Sequence, residues 1–321
     1  MILHDVHMHT FNIEDTPLQT FIRRFGMLMS IFIRDFSFME KDNKIRRFSN
    51  IVEKTRADII QEYVKSIIEF TINSKKIPNI EKYVICPLTM DFSNESKIKN
   101  FIYQIKKLEE ALNEKEWTQF EFKPFLGINF SNKNNTHFLQ KYIKKGLFYG
   151  IKLYPPLGFN VKEADDSTVL KYAEDNRIPV TVHCSSGGFP SMHISRRTAR
   201  KFTHPENWFY VLDKMPELKL NLAHMGGLKN SWVREIKKLC SYYNNVYTDI
   251  SYIICNYKKL KRKYNDFCKD KLNHKILFGT DWFMSSMEAM TITKLCNSFI
   301  DNIGKDDIIN IMDKNPKKFL S

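Results

Sequence analysis

Short apolar runs rich in β-branched and aromatic residues recur along the chain, and between them lie longer charged stretches whose apolar residues return at helical spacing. The runs predict strands over Ile2 to Met8, Tyr83 to Leu88, Phe122 to Ile128, Gly150 to Leu153, Pro179 to His183, Leu218 to His224, Asn245 to Ile250 and Lys275 to Thr280. The stretches predict helices, with "ESKIKNFIYQIKKLEEALNE" after the second strand, "NTHFLQKYIKK" after the third, "ADDSTVLKYAEDN" after the fourth and "SWVREIKKLCSYY" after the sixth. Eight parallel strands, each followed by a helix, describe a distorted (β/α)8 barrel of the TIM type, an α/β fold in which chemistry gathers where strands end and loops begin.

Two connections are too long for a turn and one helix. The first, about 11–78, contains "FIRRFGMLMSIFIRDFSF" and predicts a helical insertion after strand one. Its apolar residues are not confined to one face, which argues for packing on the barrel over a membrane-surface patch. The second, about 187–206, reads as a long loop, "GGFPSMHISRRTARKFTHPE". No repeat, low-complexity tract or Pro/Gly linker divides the chain. All 321 residues are therefore expected to form one domain, since such barrels run from roughly 200 to over 400 residues.

Composition narrows the class. A chain that is 43% hydrophobic and 13% aromatic can build a core and is not disordered, collagen-like or disulfide-stapled. The longest apolar run, near Phe25 to Ile33, is bracketed by Arg23, Arg24 and Arg34 and falls short of the roughly 20 residues that span a bilayer, so no transmembrane segment is expected. The six cysteines show no CxxC pairing and an informative motif starts almost at Met1, so a cytoplasmic protein without a signal peptide is expected. Fifty Lys and Arg against 36 Asp and Glu leave a net charge of +14. That excess is compatible with nucleic acid, an anionic membrane or an acidic small-molecule substrate. The lysines are scattered beside acids, as in "IKKLEEALNEKE", without a nucleic-acid signature, so nucleic acid is not an expected partner. Homo-oligomerisation is left open.

The chemistry is concentrated at strand ends. In "DVHMH" the period of two puts His7 and His9 on one side of strand one with Asp5, and His4 on the other. A lone His-x-His means little, but later strands also end on groups that bind metals: Lys152 in "GIKLYPP", His183 in "VTVHCSSGG", His224 in "NLAHMGG" and Asp281 in "LFGTDWF". In a barrel these ends form one ring. Imidazole and carboxylate hold divalent ions such as zinc, with a position left for water, and His7, His9, His183 and Asp281 supply such a shell. Lys152 enters either as a carbamate bridging a second ion or as a substrate contact. Asp249 in "VYTDIS" also ends a strand; Asp281 ranks first and Asp249 is not expected to reach the metal. His137 and His274 read as structural. His193, Arg196, Arg197 and Arg200 lie in the second long connection, where a solvated basic stretch competes with substrate contact. His193 and Arg196, with Tyr154 beside strand four, are the candidates to touch substrate. No G-x-S-x-G, G-x-G-x-x-G or Walker sequence occurs. Ser185 and Ser186 read as loop hydrogen-bonders and Cys184 as packing.

In combination and order, "DVHMH", "GIKLYPPLGF", "IPVTVHCSSGG", "HPENWFYVLDKMPELKLNLAHMGG" and "ILFGTDWF" resemble the amidohydrolase superfamily over nearly the whole chain. The likeness is strongest to the branch of uncharacterised hydrolases related to aminocarboxymuconate-semialdehyde decarboxylase. The resemblance implies His7, His9 and His183 as metal ligands, His224 as ligand or catalytic base, and Asp281 as ligand and proton shuttle. "KLYP" is similar to the carbamylated-lysine segment of dihydroorotases and implies two metals, whereas the decarboxylase-like enzymes usually use one and lack this lysine. Thr10 and Phe11 stand where dihydroorotases carry a substrate-binding arginine. The expected activity is metal-dependent hydrolysis of an amide, lactam or lactone. The alternatives are metal-dependent decarboxylation of an unsaturated or aromatic acid and, more weakly, a non-catalytic metal- or anion-binding barrel.

Overall fold

All eight expected strands are present as staves of a barrel in the computed structural model, which describes residues 1–10, 15, 54–92, 98–114, 117–163, 168–227, 229–282, 284–287 and 291–321. They are β1 (Ile2–His9), β2 (Lys82–Leu88), β3 (Phe120–Phe122) with β4 (Phe125–Ile128), β5 (Gly150–Leu153), β6 (Val180–Val182), β7 (Leu220–Leu222), β8 (Val246–Asp249) and β9 (Ile276–Leu277). The single third strand expected from the sequence is broken in two. Pro124 has no N–H to give to a ladder, so β3 pairs with β2 through Tyr83 and Phe120 while β4 takes over the path from Leu88 to β5. All pairs are parallel. The two ends of the sheet meet where Val6 N–H donates to the Phe278 carbonyl at 3.1 Å and His9 N–H donates to the Trp282 carbonyl at 3.3 Å, so the barrel is nearly closed.

Parallel strands covered by helices are buried on both faces, which is why Leu3, Val6, Ile151, Val180, Leu220 and Val246 are all fully buried. The covering helices include α1 (Arg56–Asn73), α2 (Ile98–Asn113), α3 (Thr168–Asp175), α4 (Arg196–Thr203), α5 (Asn207–Lys214), α6 (Asn230–Tyr242), α7 (Tyr257–Lys269) and α8 (Ile292–Ile300). Helix α1 is the described part of the insertion, begun by a Thr55/Asp58 capping box and buried through Ile59, Ile60, Tyr63, Ile67 and Phe70. The basic aromatic segment "FIRRFGMLMSIFIRDFSF" lies outside the described residues. Helix α4 corrects the expectation of a continuous loop over 187–206: Ser195 Oγ accepts from Thr198 N–H at 3.0 Å, and this cap starts a helix whose anchors are only Ala199 and Thr203. Among the described residues no helix is long and apolar enough to cross a membrane.

Candidate metal centre

The alternation along β1 holds. His4 Nδ1 lies 3.2 Å from the Met312 carbonyl, away from the ring, whereas His7 and His9 face Asp281. Asp281 takes a left-handed conformation (φ 51°) just after β9. Its N–H donates to the His7 carbonyl at 2.8 Å, and its own carbonyl accepts from Ser285 N–H at 2.8 Å. The side chain then places Oδ1 3.4 Å from His9 Nε2 and 3.7 Å from His7 Nε2. Two ligands about 2.0–2.2 Å from a tetrahedral ion stand roughly 3.3–3.6 Å apart; the His9–Asp281 pair has that spacing, the His7–Asp281 pair is slightly wider, and ligand atoms of all three residues lie within 4.8 Å of one another. Asp281 Oδ1 is buried and has no hydrogen-bond partner among the described residues, although buried carboxylate oxygens are ordinarily satisfied. A divalent ion would satisfy it, and the donor set fits one.

The protonation state of the imidazoles favours the same role. Burial, reinforced by the Lys152 charge, brings His7 down to about 4 and His183 to about 3. Burial and the neighbouring His7 lower His9, and burial with His183 lowers His224. All four imidazoles are therefore neutral at pH 7, the form that offers a lone pair to a metal. Burial raises Asp281 to about 8 against the attraction of Lys152, and burial lowers Lys152 to about 8 against the attraction of Asp281 and Asp249. Lys152 Nζ stands 3.3 Å from His7 Nε2, inside the ring.

Asp249, expected not to reach a metal, nevertheless packs directly against His7 and His224. Its Oδ2 is 3.0 Å from His7 Nδ1 and accepts from Asn221 Nδ2 at 2.7 Å. Its Oδ1 accepts from His224 N–H at 2.9 Å, Ser251 N–H at 3.0 Å and Ser251 Oγ. Burial pushes this carboxyl up, but His7 and the hydrogen bonds it accepts from His7 and Ser251 draw it down further, so Asp249 remains an anion. An anionic carboxylate only accepts. His7 must then carry its proton on Nδ1, which leaves the Nε2 lone pair facing Asp281. His7, His224 and Asp249 form a second cluster with metal-ligand spacing, but the oxygens of Asp249 are already engaged, and the Asp281 side of His7 is the better seat.

The other candidates divide. His224 Nδ1 is 2.8 Å from Ser251 Oγ and 3.9 Å from Asp281 Oδ2, while its Nε2 meets His183 Nδ1 at 3.0 Å. His183, expected as a metal ligand, instead stands behind His224 with its own Nε2 3.2 Å from the Gly187 carbonyl, and it belongs to neither cluster with metal-ligand spacing among the described residues. The Tyr154 ring is 4.7 Å from that of His183, and its hydroxyl accepts from Phe189 N–H at 2.6 Å. Arg196 and Arg200 line a cavity of about 100 Å3 with Ser185, Ser186, Gly187 and Gly188. His193 is exposed and does not line it. Asp5 takes hydrogen bonds from His7 N–H (3.0 Å), Thr280 N–H (3.1 Å), Thr280 Oγ1 (2.6 Å) and Tyr63 Oη (2.8 Å), which ties β1 and the segment after β9 to α1. Cys184 is core packing, its thiol pushed up by burial.

A family model described as Amidohydrolase matches residues 139–321, more than half of the chain, and the chain belongs to that family. No curated protein matches its sequence. Among solved structures, an uncharacterised TIM-barrel protein from Bordetella bronchiseptica superposes with a TM-score of 0.60 at 18% identity, over 100% of this chain and 98% of that one. A probable 2-pyrone-4,6-dicarboxylic acid hydrolase from Acinetobacter baumannii, solved with citric acid bound, gives 0.57 at 15% identity over 100% and 99%. An amidohydrolase from Burkholderia multivorans with bound zinc gives 0.60 at 7% identity over 100% and 99%. At these identities the likeness is one of fold.

Proposed function

We propose that this protein is a metal-dependent hydrolase that opens a C–N or C–O bond of a small amide, lactam or lactone. The observation that carries the reading is the buried, unpartnered Oδ1 of Asp281 between Nε2 of His7 and Nε2 of His9. A divalent ion there, zinc being well suited to imidazole and carboxylate donors, supplies a Lewis acid that draws the pKa of bound water towards about 7. His7, His9 and Asp281 hold it, and His224 and His183 complete the ring as ligand and neighbour. Asp281 takes a proton at its carboxylate and passes it to the leaving group. Lys152 serves as a carbamate ligand to a second ion or as a substrate contact. Tyr154 braces the loop after β6, and Arg196 orients an anionic substrate group from the cavity beside His183, with His193 a more distant contact at the rim. A 2-pyrone is a cyclic ester, so the substrate named for the Acinetobacter baumannii neighbour fits both the bond and the charge.

Within the family, the order of motifs supports the branch related to aminocarboxymuconate-semialdehyde decarboxylase, while the buried Lys152, which the decarboxylases lack, favours hydrolysis over loss of CO2. Six free cysteines suit the cytoplasm. The test is elemental analysis of protein purified without chelator, then turnover of a panel of amides, lactams and lactones. One or two equivalents of zinc are expected, lost in His7→Ala and His9→Ala. Asp281→Asn should keep most of the metal and lose about 10²- to 10⁴-fold in kcat. Below about a tenth of an equivalent of any divalent metal after reconstitution, the reading fails.

A further inference from the structure

His224, Met225, Gly226 and Gly227 all take left-handed backbone angles, with φ of 70°, 45°, 72° and 58°. Non-glycine residues are rare in that region and persist there only where the surroundings over-determine them. One group does so from outside the barrel. Lys263, on α7, is 2% exposed, and its Nζ donates to the Met225 carbonyl at 2.7 Å and to the Gly227 carbonyl. No carboxylate pairs with it among the described residues, so these carbonyls take the place of a counter-ion. Burial pulls the ammonium down to about 8, which leaves it charged in most molecules at neutral pH. Gly227 N–H donates back to the His224 carbonyl at 2.7 Å, and His224 N–H donates to Asp249, so the turn is held at both ends. The turn also abuts the next loop: a Cβ on Gly227 would lie 2.2 Å from Ser185 Oγ, and Ser185 pairs with Gly226.

We propose that Lys263 is a positioning residue for His224, its ammonium holding the left-handed 224–227 turn so that the imidazole faces Asp281 and Ser251. The proposal rests on the reading of His224 as a metal ligand or catalytic base. An apolar-face account of α7 would treat a lysine between Arg262 and Tyr264 as solvent-facing, but this one crosses into the loop beneath the catalytic ring.

Lys263→Met keeps the length of the side chain and removes its donors; Lys263→Gln replaces it should the methionine variant not fold. Leu260→Ala, fully buried in the same helix, controls for general destabilisation. Zinc affinity by chelator competition should fall about 10- to 100-fold in Lys263→Met, the usual size of an outer-shell loss. The visible bands of the cobalt-loaded protein should shift with it. Lys263→Arg should recover most of the affinity, and Leu260→Ala should lower the melting temperature without these changes. In metal-free protein, hydrogen exchange of peptides across 223–229 should accelerate selectively. Zinc affinity and cobalt bands unchanged in Lys263→Met overturn the proposal, whatever happens to the melting temperature. If the wild type binds no metal, the ligand reading fails separately; unchanged exchange across 223–229 would then overturn the clamp as well.

Discussion

Replacing Asp249 by Asn separates a bystander carboxylate from one that sets the chemistry of His7. The substitution preserves volume and exchanges one oxygen for an amide NH2. On one side, Oδ1 receives His224 N–H, Ser251 N–H and Ser251 Oγ; on the other, Oδ2 receives His7 Nδ1 and Asn221 Nδ2. The amide oxygen will take the side with more donors, so the NH2 confronts His7 and Asn221. His7 escapes the clash by moving its proton to Nε2, the atom that faces Asp281. A metal must then displace that proton, and the expected loss is about 10- to 100-fold in zinc affinity, or about 1.4–2.7 kcal/mol. The unpaired Asn221 donor adds a folding cost of about 1–3 kcal/mol. Chelator competition reads the affinity, and nitrogen chemical shifts of labelled histidine read the tautomer. Zinc affinity within about threefold of wild type, with Nδ1 still protonated, would refute the reasoning.

Lys152→Ala should lower zinc towards one equivalent and be partly rescued by short carboxylic acids if the lysine is a carbamate ligand; unchanged metal with a raised KM assigns it to substrate, and no effect on either dismisses both roles. Gly279→Ala places a Cβ 2.9 Å from His7 Cβ and 3.2 Å from Ser251 Cβ, so it should destabilise by about 1–3 kcal/mol and weaken metal binding; a wild-type denaturation midpoint would show that the segment after β9 yields freely. Acid sensitivity follows from His7 at about 4 and His183 at about 3 against 6.5 unfolded. Because the folded values are lowered, the unfolded chain binds more protons below pH 6.5. The lowered imidazoles therefore cost the metal-free protein stability as the pH falls from about 6.5 towards 4, partly offset by Asp281, whose raised value makes the folded chain hold the extra proton over that interval; a denaturation midpoint that rises steadily on acidification would contradict the buried neutral imidazoles.

The ring was legible where periodicity and strand ends determine direction. His7 and His9 share a side by the period of β1, and Lys152, His183, His224 and Asp281 are on or just beyond their strands. What separates Asp281 from Asp249 was not legible, since both follow β-branched or aromatic runs and spacing does not reveal whose oxygens are already satisfied. The break at Pro124 could have been read from the missing N–H. Helix α4 was hidden because "RRTARKFT" has almost no apolar face, although Ser195 three residues before Thr198 was a usable cap signal. Lys263 left no trace in the pattern, because charge density normally marks a surface.

The hydrogen bonds that Asp5 receives from Thr280 link positions 275 residues apart, and this has a kinetic meaning. The staves between them can form from nearest neighbours in sequence, but the candidate ligands come together only after the first stave has found the last. Bringing such distant segments together carries one of the larger loop-closure entropies in the chain and is intrinsically slow. A metal that binds only the closed form draws the equilibrium towards closure, by about 4 kcal/mol at a thousandfold excess over its Kd. Ion supply during refolding should therefore govern the yield of native molecules as well as their activity.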